Sequence, residues 1–494
     1  MSILKKIVSQ SVVFFIGSII SVFIGFFFKI YLSNYLGAEG LGLFTLGMSL
    51  LGILGIFLSL GYGNGLVKFV SKYTAQNNHS RLFSYLNKSL TINGLISFTL
   101  SAFFFYFPQF VSEGLLSNSK LTPYMPYFGG LLLVNGFLVL ADQSIRGLQE
   151  VKSSTLINTF VRLPLKIVLT VGLFSFGLGL EAYIVAEIVG GFLALFLLSR
   201  LVVRRMPSPY LFLFKTSNSE EKRFRFNLLF TNTLLALQRY GDRFILVAFL
   251  SESDLGVYSV VLTIAAFIPL VLSSVNSIFQ PIISQLYSQN FIDELSNYFK
   301  LCCRYIFILS FPLIAFSIVF NESIMALFGP DFLIGSSLLT LVIIGELINV
   351  SMGPVGSMLQ MCGLDKELRN ISIVSSIISF VLFYVLIESF GLTGLGLGYV
   401  FGRLIINFGS AIVLFRSHKI HCFHSNYLKV IILFVALFIL MSSFVGTVIV
   451  NQWLLVLLLL ATYMMFGIVW YLLLGRNEIP ELVNLYKQQK NTLH

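Results

Sequence analysis

The chain has 494 residues, of which 57% are hydrophobic and only 11% charged, and it carries a formal net charge of +11. Its mean hydropathy is +0.90. So much apolar side chain excludes an ordinary water-soluble enzyme and points to a protein of the bilayer. The basic residues are scattered over many loops, which excludes a concentrated nucleic-acid footprint and favours contact with anionic lipid heads.

A spanning helix needs about 20 apolar residues. Segments of that kind lie at about 7–30, 41–61, 89–107, 126–145, 160–177, 182–199, 227–250, 256–280, 305–320, 336–358, 371–387, 394–415, 430–449 and 453–474. They predict an all-α integral membrane protein of fourteen transmembrane helices. Cutting the chain there leaves seven short loops with one basic residue, Lys120, and eight acids: Glu39, Glu113, Glu181, Glu252, Asp254, Glu322, Asp331 and Glu388. The opposite loops and both ends carry twenty-five Lys and Arg, among them Lys5, Lys6, Lys68, Lys72, Arg81, Lys88 and seven between Arg200 and Arg225. The positive-inside rule then puts both termini in the cytoplasm. The first span is too long for a signal-peptide core and lacks an Ala-x-Ala exit, so no removable leader is expected.

Cys302, Cys303, Cys362 and Cys422 form no C-x-x-C pair, so neither a disulfide framework nor a zinc site is expected. His418, His421 and His424 are spaced by three, but a solvated loop near lipid heads suits them better than a metal. No G-x-x-x-x-G-K-[ST] loop is present, so no ATP-driven engine is encoded. No cofactor is expected.

The stretch Leu36-Gly37-Ala38-Glu39-Gly40-Leu41-Gly42-Leu43-Phe44 returns 214 residues later as Leu250-Ser251-Glu252-Ser253-Asp254-Leu255-Gly256-Val257-Tyr258. At the same offset Lys29 meets Arg243 and Gly177-Leu178 meets Gly391-Leu392, while Gly147-Leu148 meets Gly363-Leu364 at 216. The chain therefore reads as a duplication. An N-lobe of six helices occupies 1–200, a polar inter-lobe linker 201–226, and a C-lobe of six helices 227–415. Two further helices and a tail fill 416–494. Six is even, so the repeat is parallel, with a central space expected between lobes.

Ionisable groups at membrane depth cost about 2.5–3.5 kcal/mol each on insertion scales and tend to face cavities or one another. The candidates are Lys29, Arg162, Lys166, Glu187, Arg239, Asp242, Arg243, Glu346 and Arg403. Arg239 and Arg243 are four apart and share a helix face, with Asp242 placed to neutralise part of their charge. Lys29, Arg239, Arg243 and Arg403 together form an anion site, since guanidinium forks match phosphate oxygens. Arg162 and Lys166 stand where an arriving phosphate would be met. Structural alternatives remain open at this level. These are an Arg239–Asp242 tie, a Lys29 that snorkels to the surface, a Glu187–Arg403 pair across the lobes, and Asp142 pairing with Arg162 and Lys166. Glu346 is either a protonated interior group or a coupling-ion site. Pro269 and Pro312 are candidate hinges, and Gly47, Gly52 and Gly55 a close-packing face.

Two motifs carry a family resemblance. Tyr35-Leu36-Gly37-Ala38-Glu39-Gly40-Leu41-Gly42-Leu43-Phe44 is one. The other is Gln238-Arg239-Tyr240-Gly241-Asp242-Arg243-Phe244-Ile245-Leu246, followed by Leu255-Gly256-Val257-Tyr258-Ser259. Both are similar to signatures of the bacterial polysaccharide exporters of the MOP superfamily, and the resemblance runs nearly end to end. It implies a flippase that moves an undecaprenyl-diphosphate-linked oligosaccharide, such as an O-antigen repeat unit, across the inner membrane by alternating access. It implies a lipid-linked oligosaccharide and membrane lipids as partners, with a polysaccharide polymerase and a chain-length regulator beside them. The lipid II flippase of the same superfamily is a rival, although Phe28 and Ile30 flank Lys29 where an acidic neighbour would strengthen that reading. A cation-coupled drug exporter is a second rival. It is disfavoured because no Asp or Glu lies between Met1 and Leu36.

Overall fold

The structure is a computed structural model that describes residues 3–206, 213–216, 218–444 and 452–475. The linker stretch 207–212 and the tail with His494 lie outside the described residues. Among those described, the fold is helical throughout, with no strand. In chain order the helices are α1 (Ile3–Ser59), α2 (Tyr62–Ala75), α3 (His79–Tyr106), α4 (Met125–Gly147), α5 (Val151–Leu156), α6 (Leu163–Ser175), α7 (Leu180–Arg205) and α8 (Ser219–Phe249). They continue as α9 (Glu252–Ala265), α10 (Pro269–Ser288), α11 (Ile292–Val319), α12 (Asn321–Ala326), α13 (Ser336–Ser351), α14 (Val355–Met361), α15 (Asp365–His418), α16 (Ser425–Phe444) and α17 (Gln452–Trp470).

Ten described helices are long and apolar enough to cross a bilayer, or eleven if α9 and α10 form one span bent by 46°. The expected fourteen is not reached by that criterion, for reasons that lie in three helices. The first is α1, which at about 1.5 Å per residue would far exceed a 30 Å hydrocarbon core if straight. It breaks at Gly37, whose φ of 67° is left-handed. Phe28 and Phe44, on either side of the break, both reach the ring of Tyr183, at 6.0 and 4.4 Å between centroids. The second is α15, broken at Gly391. There Gly394 lies against the backbone of Leu386, Gly398 against Phe383, Gly402 against Ser379 and Gly409 against Ile371. Only a chain folded back on itself brings those pairs together, and the small residues let the two halves approach closely. The third is α8, whose charges disqualify it as a simple apolar span.

The chain divides into two compact units, Met1–Gly256 and Val257–His494. The helix expected to open the C-lobe, α8, therefore belongs with the first unit. Its charged start is the reason. Glu221, buried, accepts from the buried Tyr73 hydroxyl of α2, and Arg81 stands 3.8 Å away. Glu220 pairs with Lys72 at 2.6 Å and Lys68 at 3.1 Å. Burial and the Glu221 carboxylate push the Tyr73 hydroxyl up from its ordinary range, so it stays a donor.

The duplication is written in the backbone as well as the sequence. Both α3 and α11 span 28 residues. Left-handed residues recur at matching places: Asn77 with Asn290, Gln149 with Gly363, and Gly177 with Gly391. The Gln149–Gly363 match restores the offset of 214 where residue identity suggested 216. Pro269 opens α10 after the bend, as a hinge proline would. Pro312 is buried inside an unbroken α11.

Candidate functional site

Among the described residues, three clusters of ionisable groups lie within the spans, two in the first unit and one in the second. The first joins α1 and α8. Lys29, half-buried, and Arg243 lie close enough for their charges to act on each other. These are the repeat-equivalent cations of the sequence. Arg243 donates to the Ser49 hydroxyl at 3.0 Å, and its guanidinium stands over the Tyr240 ring at 5.2 Å. Its Nε is buried without a hydrogen-bond partner. Tyr240 in turn presses on α1 at Gly52, where a Cβ would collide with the ring. Arg239 is exposed on the same helix, and Asp242 Oδ1 accepts from the backbone N–H of Arg243 at 2.9 Å. Part of the acid's capacity is thus spent on the helix itself.

The second cluster joins the α5–α6 region to α7. The helix widens into a π turn at Ile157–Arg162, immediately before Pro164 at the start of α6. Proline has no N–H for the regular ladder and crowds the carbonyl four residues back, which accounts for the widened turn. Arg162 and Lys166, one turn apart, reach the same carboxylate: Arg162 Nη2 to Glu187 Oε1 at 2.8 Å and Lys166 Nζ to Glu187 Oε2 at 3.1 Å. Arg162 also touches Asn135 Oδ1 at 3.5 Å. Lys166 lies near the rings of Phe28 and Tyr183. Two cations share one acid, so the cluster keeps a net positive charge.

The third cluster lies in the second unit, between α13 and α15. Glu346, 2% exposed, receives Arg403 and the Tyr399 hydroxyl on Oε1 and Asn349 Nδ2 on Oε2 at 3.0 Å. Tyr399 also accepts from Arg403 Nη2 at 2.8 Å. A buried carboxylate with donors on both oxygens is well matched to its guanidinium. Arg403 is therefore compensated in place, by Glu346, not by Glu187.

Two of the pairings that the sequence left open find other partners. Glu187 sits on the helix packed against Arg162 and Lys166 and is taken by them, while Arg403 is taken by Glu346. Asp142 pairs with Arg146 at 2.7 Å, one turn along its own helix, and accepts from Ser154 and Asn158, so it does not serve Arg162 and Lys166. Ser49, Tyr240, Asn135, Tyr399 and Asn349 escaped sequence reasoning. A trace existed for some: Tyr240 and Tyr399 stand three and four residues before an arginine, and Asn349 three after Glu346, all helical-neighbour spacings. No cluster of three or more metal-binding side chains occurs among the described residues.

A family model described as "Polysaccharide biosynthesis protein" matches residues 7–287, and one described as MatE matches residues 230–385. The chain belongs to the polysaccharide biosynthesis protein family. Its fold is that of the MOP superfamily. A structure titled as the lipid II flippase MurJ in an inward closed conformation is similar, with a TM-score of 0.73 at 14% identity, covering 95% of this chain and 100% of the other. An inward-facing multidrug resistance MATE transporter is similar with a TM-score of 0.67 at 15% identity, over 79% of this chain and 92% of the other. Stage V sporulation protein B of Bacillus subtilis (strain 168) is 22% identical over 162 residues, a match that spans 31% of this chain and 30% of that protein. This member of the family is accordingly a multi-pass membrane protein with the MOP-superfamily fold.

Proposed function

We propose that the protein is a bacterial inner-membrane flippase for an undecaprenyl-diphosphate-linked oligosaccharide, a repeat unit of a surface polysaccharide such as O-antigen. The observation that carries this reading is the setting of Arg243 inside the spans, near Lys29, with its guanidinium on Ser49 and over the Tyr240 ring. An arginine and a lysine near each other at membrane depth make a place that suits an anion. The guanidinium of Arg243 is oriented by Ser49 and Tyr240 and keeps a buried Nε–H unmatched, as a phosphate-binding arginine requires. A diphosphate cannot cross hydrocarbon unaided, and a site of this charge lowers that barrier while the prenyl chain stays in lipid.

In this reading Lys29, Arg243 and Arg239 hold the diphosphate or an acidic sugar. Arg162 and Lys166 receive it first, with Glu187 keeping them in place until the substrate competes. Arg403 and Glu346 form the answering pair of the second unit. Parting them on substrate binding frees Arg403 for the anion and Glu346 for a proton, and Asp242 is a second candidate coupling group. Alternating exposure of the site to the two membrane faces moves the head group, driven by the membrane potential or an ion gradient. The polymerase and chain-length regulator of the same polysaccharide would receive the product.

Changing Arg243 to Ala should abolish surface polysaccharide while the membrane level of the protein stays normal, and Arg243→Lys should restore part of it. Normal surface display in the Ala variant, measured by glycan labelling of intact cells, would overturn the assignment. Transport of lipid II is the second reading, favoured by the likeness to the MurJ structure over the whole chain.

A further inference from the structure

Each unit carries an apolar groove where its long helices end, and the two grooves are one feature repeated. In the first unit a cavity of about 290 Å³ is lined by Leu86 of α3, Ala141 of α4 and Val202 of α7, among others. In the second a cavity of about 340 Å³ is lined by Phe299, Val355 of α14 and Phe415 of α15. Leu86 matches Phe299, Ala141 matches Val355 and Met206 matches Ile420, each pair 213 or 214 residues apart and each lining its groove. The residues have changed identity since duplication, yet position and apolarity have been kept in both copies. Val203 in one groove and Phe408, Ile412 and Phe415 in the other are exposed at their mouths. That exposure suits hydrocarbon and not water. Cations stand at the same helix ends: Arg416 lines the second groove, with Lys419 just beyond in sequence, and on α7 the exposed Arg200 and Arg204 alternate with Ser199, Val202 and Val203, which line the first.

We propose that each groove binds one acyl chain of an anionic phospholipid, whose head group is held by the rim arginines. The occupant follows from the chemistry of the two parts. An apolar slot at membrane depth takes a hydrocarbon chain, and a basic rim at the helix ends takes a negative head. A single transported prenyl substrate would not call for two matching slots, one in each repeat. A second copy of this chain would bring the same cations against themselves. The lipids would act as fillers that stiffen the lower half of each unit independently of transport.

The test uses the purified full chain, equilibrated in mixed micelles with phosphatidylglycerol or phosphatidylethanolamine of identical acyl chains, and read by native mass spectrometry. Two retained phosphatidylglycerol molecules are expected, against weaker retention of phosphatidylethanolamine. Ala141→Trp should remove one lipid and Ala411→Trp, which fills the second groove, the other. Arg416→Gln should lower the preference for phosphatidylglycerol at one site about five-fold, the effect of one cation near a charged interface. Because a Trp variant can disturb folding, a phosphatidylglycerol with a photoreactive group on its acyl chain is also applied to the unaltered protein. Labelling should map to the ends of α7 and α15. Equal retention of both lipids, undiminished binding in both Trp variants, labelling confined to other helices, or a dimer in place of lipid adducts would each overturn the proposal.

Discussion

Gly42 and Gly256 occupy equivalent places in the repeat and do reciprocal work. A Cβ at Gly42 would fall on the carbonyl of Glu252, and one at Gly256 on the carbonyl of Ala38, the partner of Glu252 in the repeat. The contact is thus self-matching, residue for residue, as at a two-fold interface. Lys120 sits over it, 2.6 Å from Glu39 and 3.5 Å from Glu252. Only glycine permits backbone to meet backbone in this way. Gly42→Leu should therefore destabilise the protein by about 1–3 kcal/mol, the usual cost of overpacking. Gly55, on the same stretch of α1 with nothing within 4 Å of its would-be Cβ, should accept Leu with little change. Thermal unfolding of both variants in one detergent checks the contrast, and equal melting would show that the close contact carries no weight. The sequence marked Gly55 as a packing residue, whereas in the structure the close backbone contact falls to Gly42 and nothing approaches Gly55. Spacing shows where small residues lie, but not what comes to meet them.

At the scale of helices, length and apolarity are local properties, and they were legible throughout. Partners are not local, and α8 shows this. By the repeat it reads from the sequence as the first helix of a second lobe, yet Glu220 and Glu221 fasten its start to α2 and α3. The buried Tyr73–Glu221 bond should matter more than the exposed Lys72–Glu220 pair. Removing a hydrogen-bond donor from a buried carboxylate costs about 1–3 kcal/mol, whereas an exposed ion pair contributes about 0–1. Tyr73→Phe should lower the denaturation midpoint clearly and Lys72→Ala barely. The reverse order, read by thermal scanning of the two variants side by side, would mean that the exposed pair anchors the helix. The hairpin of α15 belongs to the same scale. Gly391 was visible as a repeat mark beside a short acidic loop, and the glycines at 394, 398, 402 and 409 follow from the need of two antiparallel halves to touch.

For the whole molecule, the choice among substrates is a choice among consequences for the cell. Depletion of the protein should leave cell shape and viability intact while surface polysaccharide disappears and its lipid-linked precursor accumulates. Lysis with accumulation of lipid II would instead favour the second reading, and measuring both precursors in one depletion experiment separates them. Of the candidate site, the residue types and their depth were readable because a charge inside an apolar run is conspicuous in any register. Which acid neutralises which base was not readable. Glu187 lay open to Arg403 by arithmetic on the repeat, but it is held by Arg162 and Lys166, while Arg403 is held by Glu346 from another span.

What the sequence determined by itself was membrane residence, the rhythm of spans and turns, and the internal duplication. These follow from apolar run length, charge placement and residue identity at a fixed offset, all written along one dimension. Only the tertiary structure decided that the charges of Lys29 and Arg243 act on each other, that Glu346 answers Arg403, that α8 joins the first unit, and that the grooves of the two repeats correspond. Each of these depends on the few ångströms between side chains of different helices, and no local propensity encodes that spacing.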